Sequence, residues 1–130
     1  MAYQSAQPVK ITLEAAADLS AKQFHFVKLD ANGKAAICAA ATDVPIGVLQ
    51  NKPTSGQAAT IVVVGVSKVS SDAALNEGDL IGTSSDAQAD AKTPGSDTTN
   101  YVVGQMITAT GGAGVIGTAA INAANPHRAA

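Results

Sequence analysis

The sequence predicts a mainly β domain, a small antiparallel barrel or sandwich, and three observations lead to that class. Short segments rich in Val, Ile and other β-formers recur along the chain. Gly, Pro, Asn and Asp separate them at a spacing of roughly 8–12 residues, which is typical of all-β folds. The segment ATIVVVGVSKVS has apolar residues on both faces, which predicts a strand buried on both sides. No internal repeat is evident.

The chain begins with a polar stretch that predicts an extended N-terminal arm over residues 1–13. Pro8 favours an extended backbone at the residue before it. The VKITL segment that follows Pro8 alternates in polarity and is able to pair as an edge strand. Residues 14–21, EAAADLSA, predict either one or two turns of helix, since they are rich in Ala, or a loop held by Leu19.

The β-rich core is predicted over residues 14–121, followed by a C-terminal tail over residues 122–130. Asn32-Gly33 predicts a two-residue hairpin turn. Asn76–Asp79 predicts a tight turn, and Ser84–Asn100 predicts an exposed loop or weak hairpin, since it is rich in Asp, Ser and Thr. The predicted strands are FHFVKLD, KAAICAA, IGVLQN, ATIVVVGVSKVS, LIGT, YVVGQMITA and VIGTAAI.

The composition predicts a core that contributes limited stability and a surface without the basic patch of a nucleic-acid-binding protein. Hydrophobic residues are 46% of the chain, but there is no Trp and there are two Phe and two Tyr. A core of Val, Ile and Ala buries less area than an aromatic one, so neighbours in an assembly would add stability. The net charge is −2, and Arg128 is the single Arg. Because the basic residues are scattered, we expect no nucleic-acid partner.

The residues that usually carry chemistry are few and separated. Cys38 is the single Cys, lies in an apolar stretch and has no basic neighbour in sequence, which indicates a buried apolar role. His25 and His127 are far apart and lack a Cys pair, so no zinc site is predicted. We therefore expect no catalytic residue, no metal and no cofactor.

Two apparent motifs lack the context that their chemistry requires. Gly112, Gly114 and Gly117 fit a dinucleotide-binding spacing, but no acidic residue follows them and too little chain remains for the βαβ unit, so a glycine-rich turn is predicted. Asp86, Asp90 and Asp97 do not have the spacing of a calcium loop and lie in a polar segment. They are expected to be solvated loop carboxylates.

The N-terminus has no apolar segment of the secretory type, and the longest apolar runs are too short to span a bilayer. We therefore expect no membrane partner and synthesis in a cytoplasm.

An ordered series of turn and strand motifs runs over most of the chain. Asn32-Gly33 is followed by a P-x-G-V-L-x-N strand from Pro45 to Asn51, a turn at Gly56 and the Val-rich strand Ile61–Val66. Later segments in the series are NEGDLIGT, YVVGQMITA and the Asn125–Arg128 ending. Over roughly residues 9–128 this order resembles small bacteriophage capsid decoration proteins, also called cement or head-stabilising proteins. Each motif is a structural turn, so their order carries the resemblance.

The resemblance implies a β-rich, β-tulip-like fold and no catalytic residues. It also implies synthesis in the cytoplasm of a bacterial host and a position on the exterior of the capsid in the virion, where the chain would bind the major capsid protein, often as a homotrimer. The arm is the expected contact element, by adding a strand to a partner sheet. Two alternatives remain open: another virion subunit such as a head fibre base or tail component, or a small ligand-binding barrel or hydrolase. The expected capsid-contacting residues are Tyr3, Gln4, Pro8, Val9, Lys10 and Ile11.

A chelator is expected to leave thermal unfolding unchanged, because the sequence offers no cluster of metal ligands. Calorimetry of the protein with and without EDTA measures this, and the two melting curves should superimpose. A drop of several degrees on chelation would reveal a bound ion, and the carboxylates of Asp86, Asp90 and Asp97 would be the first candidates.

Overall fold

The computed structural model describes residues 2–130, and these residues form strands, turns and loops without a helix. The strands are β1 (Val9–Glu14), β2 (Phe26–Leu29), β3 (Ala35–Ile37), β4 (Gly47–Leu49), β5 (Ala58–Ser70), β6 (Leu80–Thr83), β7 (Ala89–Ala91), β8 (Tyr101–Val102), β9 (Gly104–Met106), β10 (Ile116–Asn122) and β11 (His127–Arg128).

Nine of these strands form one curled antiparallel sheet. The order across it is β3-β2-β4-β5-β10-β9-β6-β7, and β1 also pairs with β5. Its two ends meet where the Phe26 amide donates to the Ala87 carbonyl over 2.7 Å, so the sheet curls into a half-barrel around a buried core. The predicted mainly β, barrel-like class is confirmed.

Strand β5 is 13 residues long and lies in the middle of the sheet. Ile61, Val62 and Val63 are buried although alternate residues of a strand point to opposite faces. Val64 is half-buried and packs against the main core cluster. The strand is therefore covered on both sides over this stretch, as its apolar sequence predicts.

The turn between β2 and β3 is longer than the predicted two-residue turn at Asn32-Gly33. The Asp30 amide donates to the Lys34 carbonyl over 2.9 Å, and the Gly33 amide donates to the Asp30 carbonyl over 3.1 Å. Gly33 alone in this turn has a positive φ, of 74°. This is a three-residue loop with a glycine bulge rather than a type I′ turn, because the Asp30 carboxylate caps the Asn32 and Lys34 amides.

Three local expectations are refined by the structure. Residues 14–21 contain no helix and form a loop in which Leu19 is 2% exposed. The segment Ser84–Asn100, expected to be an exposed loop or weak hairpin, contains the turn after β6 and strand β7, whose Ala87 and Ala89 are fully buried. The single strand expected for YVVGQMITA is broken into β8 and β9, which pair with β11 and with β6 and β10 respectively.

Both predicted terminal segments are attached to the sheet. Val9–Glu14 is strand β1, so the expected boundary between arm and core at residue 13 falls inside a strand. In the tail, β11 pairs with β8, and the Arg128 guanidinium lies 5.7 Å from the centre of the Tyr101 ring.

The sheet contains a structural repeat, contrary to the expectation from the sequence. Repeat 1, residues 9–64, and repeat 2, residues 65–122, have the same strand connectivity. In repeat 1, β2 pairs with β3 and β4, β4 pairs with β5, and β1 pairs with the first half of β5. In repeat 2, β6 pairs with β7 and β9, β9 pairs with β10, and the second half of β5 pairs with β10. Strand β5 therefore ends one repeat and begins the next.

The backbone hydrogen bonds of the loops repeat as well. The Ala15 amide donates to the Gln57 carbonyl, and the Ser71 amide donates to the Val115 carbonyl at the equivalent place. In the two hairpin turns, the Asp30 amide donates to the Lys34 carbonyl and the Ser84 amide donates to the Gln88 carbonyl. Isolated parallel bridges also match: Ala15↔Ala35 and Ser71↔Ala89. The left-handed residues fall at equivalent places, and these pairs are Phe24 with Gly78, Gly33 with Ala87 and Gly56 with Gly114.

Each repeat has its own small core at equivalent positions. The core of repeat 1 is a separate cluster, and the matching residues of repeat 2 belong to the larger cluster that also contains the contact between the repeats. The equivalent pairs are Leu19 with Leu75, Val27 with Ile81, Ala35 with Ala89, Leu49 with Met106 and Ile61 with Ala119.

One close backbone approach occurs in both repeats and requires glycine. A Cβ at Gly47 would lie 2.2 Å from the Val62 carbonyl oxygen, and a Cβ at Gly104 would lie 2.5 Å from that of Ala120. Both contacts are with backbone atoms, which are not free to move aside. These two glycines therefore let β4 and β9 sit closely against the strands that end their repeats.

Gly47→Ala is expected to destabilise the protein by several kcal/mol, in the range of a severe overpacking change, because the added methyl overlaps backbone. Gly33→Ala is the matched control: nothing lies within 4 Å of its Cβ position. It should cost only about 1–2 kcal/mol for the left-handed backbone. Urea unfolding of both variants measures the difference, and equal losses would show that the contact at Gly47 relaxes.

Candidate interaction surfaces

The residues able to carry chemistry lie apart in the structure. The His25 ring hydrogen-bonds the Gln23 carbonyl through Nδ1 over 3.0 Å, whereas His127 is exposed on β11. Within residues 2–130, no three His, Cys, Asp or Glu side chains are grouped so that they could hold a metal ion. In this part of the chain the two histidines therefore have separate local surroundings.

Cys38 is 1% exposed and lies in the core between the two repeats. Burial is the main cause that raises the pKa of its thiol to about 12, and the nearby Asp43 carboxylate adds to this. A thiol that remains protonated is a poor nucleophile. The side chain packs in the core cluster among residues of both repeats, so its role is in packing between the repeats.

The polar segment after β7 contains a buried ammonium group. The Lys92 side chain is 1% exposed, and its Nζ lies 3.1 Å from Asp90 Oδ2 and 2.9 Å from Asn100 Oδ1. Buried charges need such partners, so Lys92 ties this segment to the fold. Asp97 caps the Thr93 amide, while Asp86 is exposed, and the three carboxylates named in the sequence do not converge.

The segment before β1 lies against the second half of β5 and β10. The Tyr3 amide donates to Thr118 Oγ1 over 2.7 Å, and the Ser5 amide donates to the Val66 carbonyl over 2.8 Å. Pro8 packs on Gly65, where a Cβ would lie 2.8 Å from the Pro8 Cβ. These contacts hold the backbone in place and leave several side chains directed outward.

Five of the six expected capsid-contacting residues lie within residues 3–10, and the exposed side of this segment is here called the N-terminal surface. Tyr3 is 47% exposed and Val9 is 57% exposed, and both are large apolar side chains. Ile11 differs, because it is half-buried and packs against both core clusters. The other three residues are exposed or half-buried: Gln4, Pro8 and Lys10.

Strand β1 has one edge free of strand pairing. It pairs with β5 along its length, and no second strand pairs with it within residues 2–130. An open edge offers unpaired amide and carbonyl groups to a partner chain. The N-terminal surface therefore combines exposed apolar side chains with available backbone hydrogen-bonding groups, which is the chemistry of strand addition.

A second surface lies at the far end of the sheet. It is an open groove of about 300 Å³, here called the repeat 2 groove. Its walls are mixed, since Leu80 and Ile121 are apolar whereas Gln105 and Asn122 are polar. The residues around it come from β6, the β8–β9 segment, β10 and the tail: Leu80, Val102, Val103, Gly104, Gln105, Ala120, Ile121, Asn122, Asn125 and His127.

The chain was compared with family models, curated proteins and solved structures. No family model matches the sequence, and no curated protein matches it either. Among solved structures, the N base of head fibre protein gp8.5 of bacteriophage phi29 superposes with a TM-score of 0.65. The fold is shared. The alignment covers 90% of this chain and 96% of the head fibre base, with 18% sequence identity.

No helix in residues 2–130 has the length and apolar character needed to cross a membrane.

Sequence reasoning proposed the N-terminal segment as a contact element, which stays a prediction, and it did not anticipate the repeat 2 groove. Exposed residues around Pro8 are contiguous in sequence, whereas the groove is assembled from four separated segments. A weak signal was available: a Gly-x-x strand precedes a turn and a longer strand twice, at Gly47 and at Gly104. Without the backbone, that similarity is too slight to identify a repeat.

The Cys38 thiol is expected to resist modification in the folded protein, because it is buried and its pKa is raised to about 12. Ellman's reagent at neutral to mildly alkaline pH should react with it at least about a hundredfold more slowly than with the urea-unfolded chain. Cys38→Ala gives the background signal. Equal rates for folded and unfolded chains would show that this part of the core opens readily.

Proposed function

We propose that this chain is a non-catalytic structural protein of a bacteriophage virion that binds the outer surface of the capsid and stabilises the head. The observation that carries the proposal is the likeness to the phi29 head fibre base, which covers 90% of this chain and 96% of that one. The order of turn motifs that resembles decoration proteins agrees with it. The proposed partner is the major capsid protein, and the proposed bound form is a homotrimer.

The N-terminal surface is the proposed contact with the capsid. Tyr3 and Val9 are the exposed apolar side chains of this surface, and large side chains of this kind supply most of the energy in protein interfaces. The free edge of β1 adds main-chain hydrogen bonds to a strand of the capsid protein. Since the backbone of the segment is already held by Thr118 and Val66, little ordering entropy is lost on binding.

A head fibre base is the second candidate. The same structural likeness favours it, because the phi29 protein is itself described as the base of a head fibre. Both candidates require binding to the head exterior, and they differ in what projects from it. Electron microscopy of decorated heads distinguishes them: a cement protein gives compact density, and a fibre base carries a projecting stalk.

Tyr3→Ala is expected to weaken binding to undecorated heads about tenfold, which corresponds to roughly 1.4 kcal/mol. The side chain is 47% exposed, so the melting temperature of the free protein should change little. Val9→Ser should act in the same direction, since its side chain is 57% exposed. Titration onto purified heads, with calorimetry of each free variant, measures both quantities.

Val115→Ser is the matched control, because Val115 is 44% exposed and lies in the turn before β10. It should bind heads with wild-type affinity. If the Tyr3 and Val9 variants bind as tightly as the control, the N-terminal surface does not contact the capsid. If the wild-type chain binds no heads at all, the proposed function is wrong.

A further inference from the structure

The two repeats contact each other through different parts: a sheet face of repeat 1 packs against the β6–β7 turn of repeat 2. The equivalent face of repeat 2 and the equivalent turn of repeat 1 take no part in this contact. The side of repeat 1 away from its own core carries Phe26, Val48 and Val62, and each is at most 1% exposed. Repeat 2 covers it: the Phe26 amide donates to Ala87 over 2.7 Å, and the Ser70 amide donates to Phe24 over 2.9 Å. This contact runs from the face of the first repeat to the β6–β7 turn of the second.

The same face of repeat 2 is open. Strand register and backbone hydrogen bonds place Leu80, Gln105 and Ala120 at the positions of Phe26, Val48 and Val62. All three line the repeat 2 groove. Leu80 is half-buried, and the other two are exposed. The groove is therefore the unoccupied counterpart of the surface that receives the β6–β7 turn within the chain.

The equivalent turn of repeat 1 is exposed. The β2–β3 turn, Asp30–Lys34, has the same closing hydrogen bond as the Ser84–Gln88 turn, and Gly33 takes the left-handed position of Ala87. The Ala87 side chain is fully buried, whereas Gly33 is exposed. Leu29, at the position of the buried Thr83, is 50% exposed. Each chain thus has an exposed equivalent of both halves of the contact that joins its repeats: the face of repeat 2 and the turn of repeat 1.

We propose that a second copy of this chain occupies the repeat 2 groove, with its β2–β3 turn seated against Leu80, Gln105 and Ala120. The contact is head-to-tail and reproduces the way in which repeat 2 sits on repeat 1. Gly33 of the incoming copy takes the place of Ala87, and Leu29 moves from solvent into the interface. The occupant is identified by the internal contact, since the exposed turn and the buried turn share one backbone geometry.

The polar residues of the groove set the strength of the association. Gln105 stands where repeat 1 has Val48, and Asn122 stands where it has Val64. Separate copies must remain soluble before assembly, so a face that is partly polar suits a contact weaker than the internal one. Head-to-tail contacts either close into a ring or continue as a filament. A ring of few copies agrees with the homotrimer of the proposed function, but the contact itself does not rest on capsid binding.

Sedimentation velocity of the full chain over a range of concentrations tests the proposal. The average mass of the wild-type protein should rise above 12.9 kDa as the concentration approaches about 1 mM. Leu29→Glu, at the end of β2, and Ala120→Glu, in the groove, each place a carboxylate in the contact. Each should therefore raise the dissociation constant for self-association at least about tenfold. Val115→Glu is the control on an exposed apolar side chain outside both halves and should associate as the wild type does.

The outcomes separate this contact from other modes of association. A wild-type chain that stays monomeric at about 1 mM overturns the proposal. Association that only one of the two Glu variants weakens also overturns it, since a head-to-tail contact needs both halves. Circular dichroism of each variant confirms folding, and Gln105→Lys is the second groove variant if Ala120→Glu unfolds. Head titration is independent: variants that associate normally yet fail to bind heads leave this inference intact.

Discussion

Strand β5 connects the two repeats, and most of the structure depends on its pairing. Its first half pairs with β1 and β4, and its second half pairs with β10. The last strand of repeat 1 therefore continues without a break as the first strand of repeat 2. Because Ile61, Val62, Val63 and Val69 are buried along it, β5 also contributes to both core clusters. In a domain with few aromatic side chains, this one strand contributes backbone pairing and buried side chains to both repeats.

The fold class was readable from the sequence because strand signals are local. Alternating Val and Ile residues and the intervening Gly and Asn residues depend only on the nearest neighbours in the chain. The repeat was not readable, because it is preserved in the backbone and not in the side chains. Ile61 corresponds to Ala119, and Gly33 corresponds to Ala87, so comparison of side chains gives little agreement. The hydrogen bonds that define the repeat involve main-chain atoms, which the sequence does not specify directly.

The two candidate surfaces differ in the same way. The exposure of Tyr3 and Val9 could be expected from a polar segment containing Pro8, although the hydrogen bonds that fix that segment to Thr118 and Val66 could not. The turn length after Asp30 was misjudged because the Asp30 carboxylate stabilises a longer loop than Asn32-Gly33 alone suggests. The groove could not be predicted without the tertiary structure, since the exposure of Gln105 depends on what packs against β9.

The sharing of β5 between the repeats also bears on how the chain reaches its native state. Strand β1 and the second half of β5 are equivalent elements, and each has a partner of the same geometry. While the chain folds, β10 therefore encounters two strands that are able to pair with it. Correct sorting depends on the side chains that differ between these two strands, such as Lys10 and Ile11 in β1. Long-range antiparallel pairing is slow to form, so exchange between equivalent strands is the expected kinetic trap of this architecture.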